Sequence, residues 1–116
     1  MAARLQPVPM AFWRSPSVRE PVRDWLRELD KSDRQTIGNN LRTLQYGWPL
    51  GMPLVRKLAD HIWELRSSLP TRREARLLFT ANRERIVVLS GFIKKSQKTP
   101  AAEIELARRR LKDLTS

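Results

Sequence analysis

The stretch RIVVLSGFI, residues 85–93, constrains the fold more than any other part of this chain. It has the length of one strand and carries apolar residues at both alternating sets of positions. A strand with one solvated face would instead alternate apolar and polar residues. The pattern is typical of a central strand that is covered on both faces. The rest of the chain must therefore supply neighbouring strands and a layer on each side of the sheet.

Two preceding segments have the period of two that is expected for neighbouring strands. HIWELRS (residues 61–67) and REARLLFT (residues 73–80) each place large apolar residues on one face and charged residues on the other. The spacer TANRER, residues 80–85, is suited to a hairpin connection to the central strand. Near the start of the chain, PMAFW (residues 9–13) predicts an edge strand. The sheet is thus expected to be mainly antiparallel, with about four to five strands.

Helical periodicity precedes the strands. The segment from Ser15 to Leu29 offers Ser17 as an N-cap, Glu20 three residues later and an apolar stripe that includes Val18. A second capping pattern, Ser32 with Gln35, starts a stripe that Gly47 ends. The two segments predict an N-terminal helical hairpin.

A last helix follows the central strand. Thr99 is a candidate cap and Pro100 a candidate first residue, and Ile104, Ala107, Leu111 and Leu114 form its apolar stripe. The segment GWPLGMPL (residues 47–54) is a loop because of its Gly and Pro content. The sum is an α+β domain in which a helical hairpin packs on a twisted sheet that a C-terminal helix closes. With 116 residues, of which 41% are hydrophobic, the chain fits a single domain over residues 1–116.

Composition excludes several classes of protein. The chain has no cysteine and one histidine, His61, which argues against disulfides, thiolate metal sites and multi-histidine metal sites. His61 itself fits a turn residue better than a base. The N-terminus lacks the apolar stretch of a signal peptide, and no segment approaches the length of a membrane span. We therefore expect a cytoplasmic protein with neither a metal nor another cofactor.

Positive charge points to a polyanionic partner. The net charge is +11, and residues 56–112 hold 15 Lys and Arg against 6 Asp and Glu. Such a field recruits RNA, DNA, a ribosome surface or an acidic protein, because binding releases counterions. A basic surface that is merely solvated is the alternative.

The charge is densest in GFIKKSQKTP, residues 91–100, where the central strand ends and the last helix begins. Lys94, Lys95 and Lys98 lie next to the positive end of that helix, which predicts a cradle for an anion. Arg66 and Arg76 are expected on neighbouring strands and on the same exposed face, where their planar guanidinium groups suit a phosphate.

Structural explanations stay open for these residues. The arginines could pair across the strands with Glu64 or Glu74 on a solvated face, and the lysines could simply protect the end of an apolar strand from aggregation. Trp13, Trp25 and Trp63 fall on apolar stripes and are expected in the core. Trp48, between Gly47 and Pro49, suits either packing or stacking on a base.

These segments in this order resemble the phage-derived, HigB-like branch of the RelE/ParE toxin superfamily, from about Phe12 to Leu114. The most specific pieces are WELR, RLLFT and GFIKKSQKTP followed by a helix with Glu103 and a run of arginines. The resemblance implies a RelE-like fold and a type II toxin that cleaves mRNA on the ribosome. It also implies a helix-turn-helix, HigA-like antitoxin as partner, besides mRNA and ribosomal RNA.

Site residues follow from the same resemblance. It implies catalytic roles for Arg66, Arg76, Lys94 and Lys95, with Lys98 as a close neighbour, while Arg73, Arg108 and Arg109 are further candidate contacts to RNA. Many relatives have a tyrosine or histidine near the C-terminus as general acid or base, which this chain lacks. A lysine among cationic neighbours is then the candidate base.

Three function classes remain open at this point. The first is the ribosome-dependent endoribonuclease toxin. The second is a toxin of the same fold that inhibits a protein such as gyrase, which would not need basic residues clustered on the sheet. The third is a non-catalytic module that binds nucleic acid or the ribosome, of prophage origin.

Overall fold

The computed structural model describes residues 6–115, and within them five strands and three helices form an α+β fold. In chain order these are β1 (Met10–Phe12), α1 (Pro21–Arg27), α2 (Lys31–Gly47), β2 (Val55–Ala59), β3 (Ile62–Ser68), β4 (Glu74–Ala81), β5 (Ile86–Lys94) and α3 (Ala101–Thr115). None of the helices in this part of the chain is long and apolar enough to span a membrane.

The strands form one mixed sheet in the order β1-β5-β4-β3-β2. β1 is parallel to β5, and the other neighbours are antiparallel. The strand that the continuous apolar run predicted is therefore an interior strand, and its residues from Ile86 to Ser90 are buried. The PMAFW segment does supply an edge strand, as predicted.

A separate hydrophobic core covers each face of the sheet. On one face, residues of α1 and α2 such as Val22, Ile37 and Leu44 pack with Leu65 and Leu77 of the sheet. On the other, Ala107 of α3 packs with sheet residues that include Ile62, Leu78 and Leu89. Both faces of β5 are thus buried, and this explains why its sequence lacks an alternating pattern.

The first helix begins later than its sequence suggested. Ser17 does not cap it: α1 starts at Pro21, and Val18 is 70% exposed with a φ of 64°. Proline disfavours the helical conformation of the residue before it, and Glu20 accordingly has φ −117° and ψ 86°. This effect of Pro21 overrides the capping box that Ser17 and Glu20 predicted. The second helix likewise starts at Lys31 after Asp30, so Ser32 lies inside the helix.

Each N-terminal helix lies on the sheet. α1 packs against β5 and β1, whereas α2 packs against β3. The helical hairpin was predicted as one unit, but the main contacts of both helices are to strands. The strand β2 was not predicted, because the charged pair Arg56–Lys57 interrupts its alternation. Charged residues are common on edge strands such as this one.

The aromatic residues and the turn before β3 have the structural roles that the sequence favoured. Trp48 packs edge-on against Trp63, with ring centres 5.0 Å apart, and against Phe79 at 5.5 Å. Trp13 is buried in the α3-side core, and Trp25 packs against the other core. His61 sits in the turn between β2 and β3 with a φ of 60°.

Asp33 ties α2 to the connection between β3 and β4. Its carboxylate is fully buried and accepts hydrogen bonds from the Thr71 hydroxyl at 2.8 Å and from Arg73 Nη2 at 3.2 Å. Burial by itself would raise the pKa of Asp33, but the hydrogen bonds from Thr71 and Arg73 outweigh it and hold that pKa below the ordinary 3.8.

We predict that Asp33 makes stability depend on pH in the acid range. Because its pKa is lower in the folded chain, its contribution is complete above the ordinary pKa of 3.8 and is lost as the pH falls through the lower folded value. The urea midpoint of Asp33→Asn should lie below that of the wild type at neutral pH, and the gap should close below about pH 4. The exposed Asp24→Asn variant is the control and should show no such gap. A gap at neutral pH that persists unchanged in acid would contradict the prediction.

Gly91 in β5 is required by close packing. A Cβ at this position would lie 2.9 Å from the Trp25 ring and 2.8 Å from a methyl group of Leu77. Gly91→Ala should therefore lower the free energy of unfolding by about 1–3 kcal/mol through overpacking. Gly38→Ala is the matched control, since no described atom lies within 4 Å of the added methyl group and the site is inside α2. It should stabilise the chain by about 0.5–1 kcal/mol. Equal effects in urea unfolding would refute the packing argument.

Candidate active site

Arg66 of β3 and Arg76 of β4 are direct partners in the antiparallel register. Residues that face each other in this way lie on the same side of a sheet. Leu78, two residues from Arg76 and therefore on its face, belongs to the core under α3, so both arginines lie on the α3 side. The predicted pairing of the two arginines on one face is confirmed.

The expected exposure is wrong for Arg76. Its side chain is 2% exposed, whereas that of Arg66 is 27% exposed. β4 is the middle strand, and α3 packs on this face, so a side chain at the centre of β4 is covered. Arg66 lies one strand farther out, where its Nη1 reaches the Met52 sulfur at 3.3 Å. Of the two, only Arg66 is reachable from solvent as the chain stands.

The Glu64 carboxylate joins these arginines. It is 2% exposed, and its Oε1 lies 3.8 Å from Arg66 Nε and 3.9 Å from Arg76 Nε. The Thr99 hydroxyl donates to its Oε2 at 2.6 Å. From the sequence, Glu64 was predicted only to pair with an arginine across the strands on a solvated face. The one signal for a larger role was an acidic residue in mid-strand between Trp63 and Leu65.

Both arginine Nε–H groups lack a close acceptor. They are buried, and neither has a hydrogen-bond partner among the residues that the structure describes. Their distances to Glu64 are those of loose ion pairs and exceed the length of a hydrogen bond. Buried cationic donors without an acceptor are rare in folded proteins, and an anionic oxygen is the group that satisfies them best.

Glu74 extends the cluster toward the end of β5. It accepts from Arg76 Nη1 at 3.3 Å and stands opposite Lys94 in the register of β4 and β5. A hydrogen bond from Ser68 is the main cause that lowers the pKa of Glu74, assisted by Arg76 and Lys94 and opposed by burial. The carboxylate therefore stays ionised and holds Arg76 from the side opposite Glu64.

The basic loop after β5 meets this cluster through Thr99. Lys94 is half-buried at the end of β5, and Lys95 and Lys98 are exposed. Thr99 was expected to cap α3, but its hydroxyl bonds Glu64 instead, and the helix starts at Ala101. The junction that the sequence singled out thus lies beside Glu64, Arg66 and Arg76.

The other predicted RNA contacts are scattered. Arg73 pairs with the buried Asp33 of α2 and so lies toward the opposite face of the sheet. Arg108 and Arg109 are exposed on α3, where Arg108 pairs with Glu105 at 2.9 Å. Neither group is part of the Glu64 cluster, which consists of Glu64, Arg66, Glu74, Arg76 and Thr99.

Arg110 does not belong to an outer basic face, although it continues the arginine run. It donates to the Leu89 carbonyl oxygen at 2.7 Å, and its guanidinium lies 4.6 Å from the centre of the Trp13 ring. Burial lowers the pKa of Arg110, and the attraction of Glu103 opposes that shift. Arg110 therefore anchors α3 to the sheet.

The cluster offers cations, one buried carboxylate and a hydroxyl donor. Among residues 6–115, no three Asp, Glu or His side chains converge in a way that would hold a metal ion. The chemistry within reach of these groups is binding of a phosphate and transfer of a proton from a hydroxyl to a carboxylate.

Comparison with protein families gives one match. The family model described as "Phage derived protein Gp49-like (DUF891)" matches residues 24–112. The matched region runs from α1 to the last turns of α3 and includes every residue of the Glu64 cluster. No curated protein matches the chain.

We predict that Glu64 and Arg76 depend on each other for stability. Glu64→Leu leaves the buried guanidinium of Arg76 without one carboxylate and should lower the free energy of unfolding by about 3–5 kcal/mol. Glu64→Leu/Arg76→Met replaces both charges by apolar groups and should return it to within about 1 kcal/mol of the wild type. Urea unfolding measures both.

The control for that pair is Arg66→Met. Arg66 is partly solvated, and its removal should cost less than about 1 kcal/mol. A double variant that is no more stable than Glu64→Leu alone would contradict the coupling.

Proposed function

The chain belongs to the Gp49-like family of phage-derived proteins, a RelE-like toxin family, and we propose that it is a HigB-like toxin that cleaves mRNA on the ribosome. The observation that carries the proposal is the Glu64 cluster. A carboxylate, two arginines and a lysine-rich loop meet at one end of the sheet. Cleavage of RNA at a 2′-hydroxyl needs a proton acceptor and cations near the phosphate, and these groups can supply both.

In the proposed reaction, the 2′-oxygen of a ribose attacks the adjacent phosphorus. A P–O2′ bond forms and the P–O5′ bond breaks, which leaves a 2′,3′-cyclic phosphate and a 5′-hydroxyl. Glu64 takes the proton of the 2′-hydroxyl. Glu64 is 2% exposed and the Thr99 hydroxyl donates to its Oε2 at 2.6 Å, so Thr99 must give up this contact and its loop must move before a ribose hydroxyl can take its place.

Arg66 and the loop lysines are assigned to the phosphate. Arg66 is the more accessible of the two arginines, with 27% of its side chain exposed, so its guanidinium can meet a phosphate from solvent. Lys94 and Lys95 would add positive charge near the phosphorane, whose negative charge increases in the transition state. Arg76, held by Glu64 and Glu74, acts as a positioning residue that keeps the carboxylate in place.

The departing O5′ needs a proton, and the chain has neither Tyr nor His after His61 to provide one. We assign this step to the ammonium groups of Lys94 and Lys95, which also replaces the earlier idea of a lysine as base. The support for this assignment is that Glu64 is a carboxylate beside the arginines, whereas a lysine ammonium must lose a proton before it can accept one.

The partners follow from this proposal. The substrate would be mRNA in the ribosomal A site, where the net charge of +11 favours contact with ribosomal RNA. A helix-turn-helix antitoxin would silence the protein, and the cytoplasm would be its location.

We predict that induction of this chain alone in a bacterium stops growth and creates new 5′-hydroxyl ends in translated mRNA. Lys94→Ala/Lys95→Ala should abolish both effects, because the phosphate loses its loop cations. Glu64→Gln, which keeps the shape but cannot take a proton, should reduce the number of new ends at least about 100-fold. Sequencing of 5′-hydroxyl ends, together with growth curves, measures these changes.

The matched control is Lys31→Ala/Arg42→Ala, which removes the same charge from the exposed side of α2 and should leave cleavage intact. Circular dichroism confirms that each variant is folded. Growth arrest without new ends would move the assignment to a protein target such as gyrase. If growth is normal while the chain is folded and expressed, a non-catalytic binding module is the better description.

A further inference from the structure

A second concave surface lies at the end of the sheet away from the Glu64 cluster. It is an open groove of about 900 Å³ between the C-terminal part of α3 and the connection from β4 to β5. We call it the α3 groove, and the lining residues that matter here are Arg85, Val87, Arg108, Leu111, Lys112 and Leu114.

The floor of the α3 groove is aliphatic. Val87 is 4% exposed, Leu111 is half-buried and Leu114 is 38% exposed. Leu114 was expected to complete the stripe of α3 that faces the sheet, yet it is one of three exposed large apolar side chains, with Val18 and Met52, in the part of the chain that the structure describes. The apolar stripe of α3 therefore runs past the sheet and continues into the groove.

The rim of the α3 groove is mainly basic. Arg85, Arg108 and Lys112 line it against a single lining carboxylate, that of Glu84. Arg108 also pairs with Glu105, but both side chains are more than half exposed, so this pair contributes little and is easily replaced. An aliphatic floor under a positive rim is complementary to an acidic amphipathic helix.

Other occupants fit the α3 groove less well. Among the residues described as lining it, His61 is the only one with an aromatic ring, so unpaired bases would find one small ring on which to stack. A second copy of this chain would bring another charge of +11 to the same place. An acidic partner is free of both difficulties.

We propose that the α3 groove is a docking site for an acidic amphipathic helix of a partner protein. Thr80 at the groove and Arg76 in the cluster are four residues apart on β4, which corresponds to about 13 Å. The lysine loop follows the end of β5 that is farthest from the groove residues Arg85 and Val87, so a helix seated in the groove would leave that loop uncovered. The proposal does not rest on ribonuclease activity, and its test does not measure cleavage.

The probe is a fluorescein-labelled peptide of about 15 residues with leucines at helical spacing and glutamates at the other positions. A scrambled peptide of the same composition lacks the apolar face. In fluorescence anisotropy with the full chain, the amphipathic peptide should bind at least about tenfold more tightly than the scrambled one.

Two kinds of variant locate the binding. Arg108→Glu/Lys112→Glu should weaken it at least about tenfold, and Leu114→Ser should weaken it about threefold or more. Lys31→Glu/Arg42→Glu reverses two charges on exposed residues of α2 and has the same net charge as the groove double variant. It should change the affinity less than about twofold.

Four results would overturn the proposal. These are no binding of the amphipathic peptide, equal binding of the scrambled peptide, an equal loss in the α2 control, and displacement of the peptide by a short oligouridine, which would assign the groove to RNA. Sedimentation of the chain alone tests the remaining possible occupant of the groove, which is a second copy of the chain, and supplies a further result that would overturn the proposal. A dimer that Leu114→Ser dissociates would assign the groove to a second copy of the chain.

Discussion

Removal of a carboxylate from water costs several kcal/mol unless cations and hydrogen-bond donors replace the water. Glu64 is such a carboxylate, and its three partners come from β3, β4 and the segment before α3. These contacts bring the lysine-rich loop against the sheet, and the arrangement of the proposed site depends on them. Apolar residues of similar size would stabilise the same place as well or better. Stability alone therefore does not account for these charges, whereas the proposed chemical role would.

The geometry of the cluster agrees with that role. Its ion pairs with Arg66 and Arg76 are long, and the two Nε–H groups lack a close acceptor among the described residues. A cluster built only to join the sheet to its loop would be expected to satisfy these donors. In the proposed reaction an oxygen of the phosphodiester would supply the missing acceptor once the side chains that cover the two Nε atoms move aside.

The features of the fold that follow from short-range patterns could be predicted from the sequence. The apolar run of β5 predicted an interior strand, and the alternation in β3 and β4 put Arg66 and Arg76 on one face. The predicted start of α1 was wrong because two neighbouring signals compete. Ser17 favours a helix start, but Pro21 prevents the residues before it from being helical. Contacts between residues that are distant in the sequence could not be predicted. Arg76 is buried because α3 packs over it, and the Thr99 hydroxyl donates to Glu64 and does not cap α3.

The same reasoning explains why the basic residues separate into groups with different roles. A net charge of +11 predicts a polyanionic partner but does not distinguish one basic residue from another. In the structure the basic residues have different surroundings. Arg73 and Arg110 are held by Asp33 and by Leu89 with Trp13, and they stabilise the fold. Lys94 lies opposite Glu74 at the edge of the Glu64 cluster and Lys95 follows it in the chain, whereas Arg108 and Lys112 lie at the α3 groove. Because the α3 groove and the lysine loop lie at opposite ends of β5, the proposed acidic partner and the proposed RNA would contact separate groups of cations on one small domain.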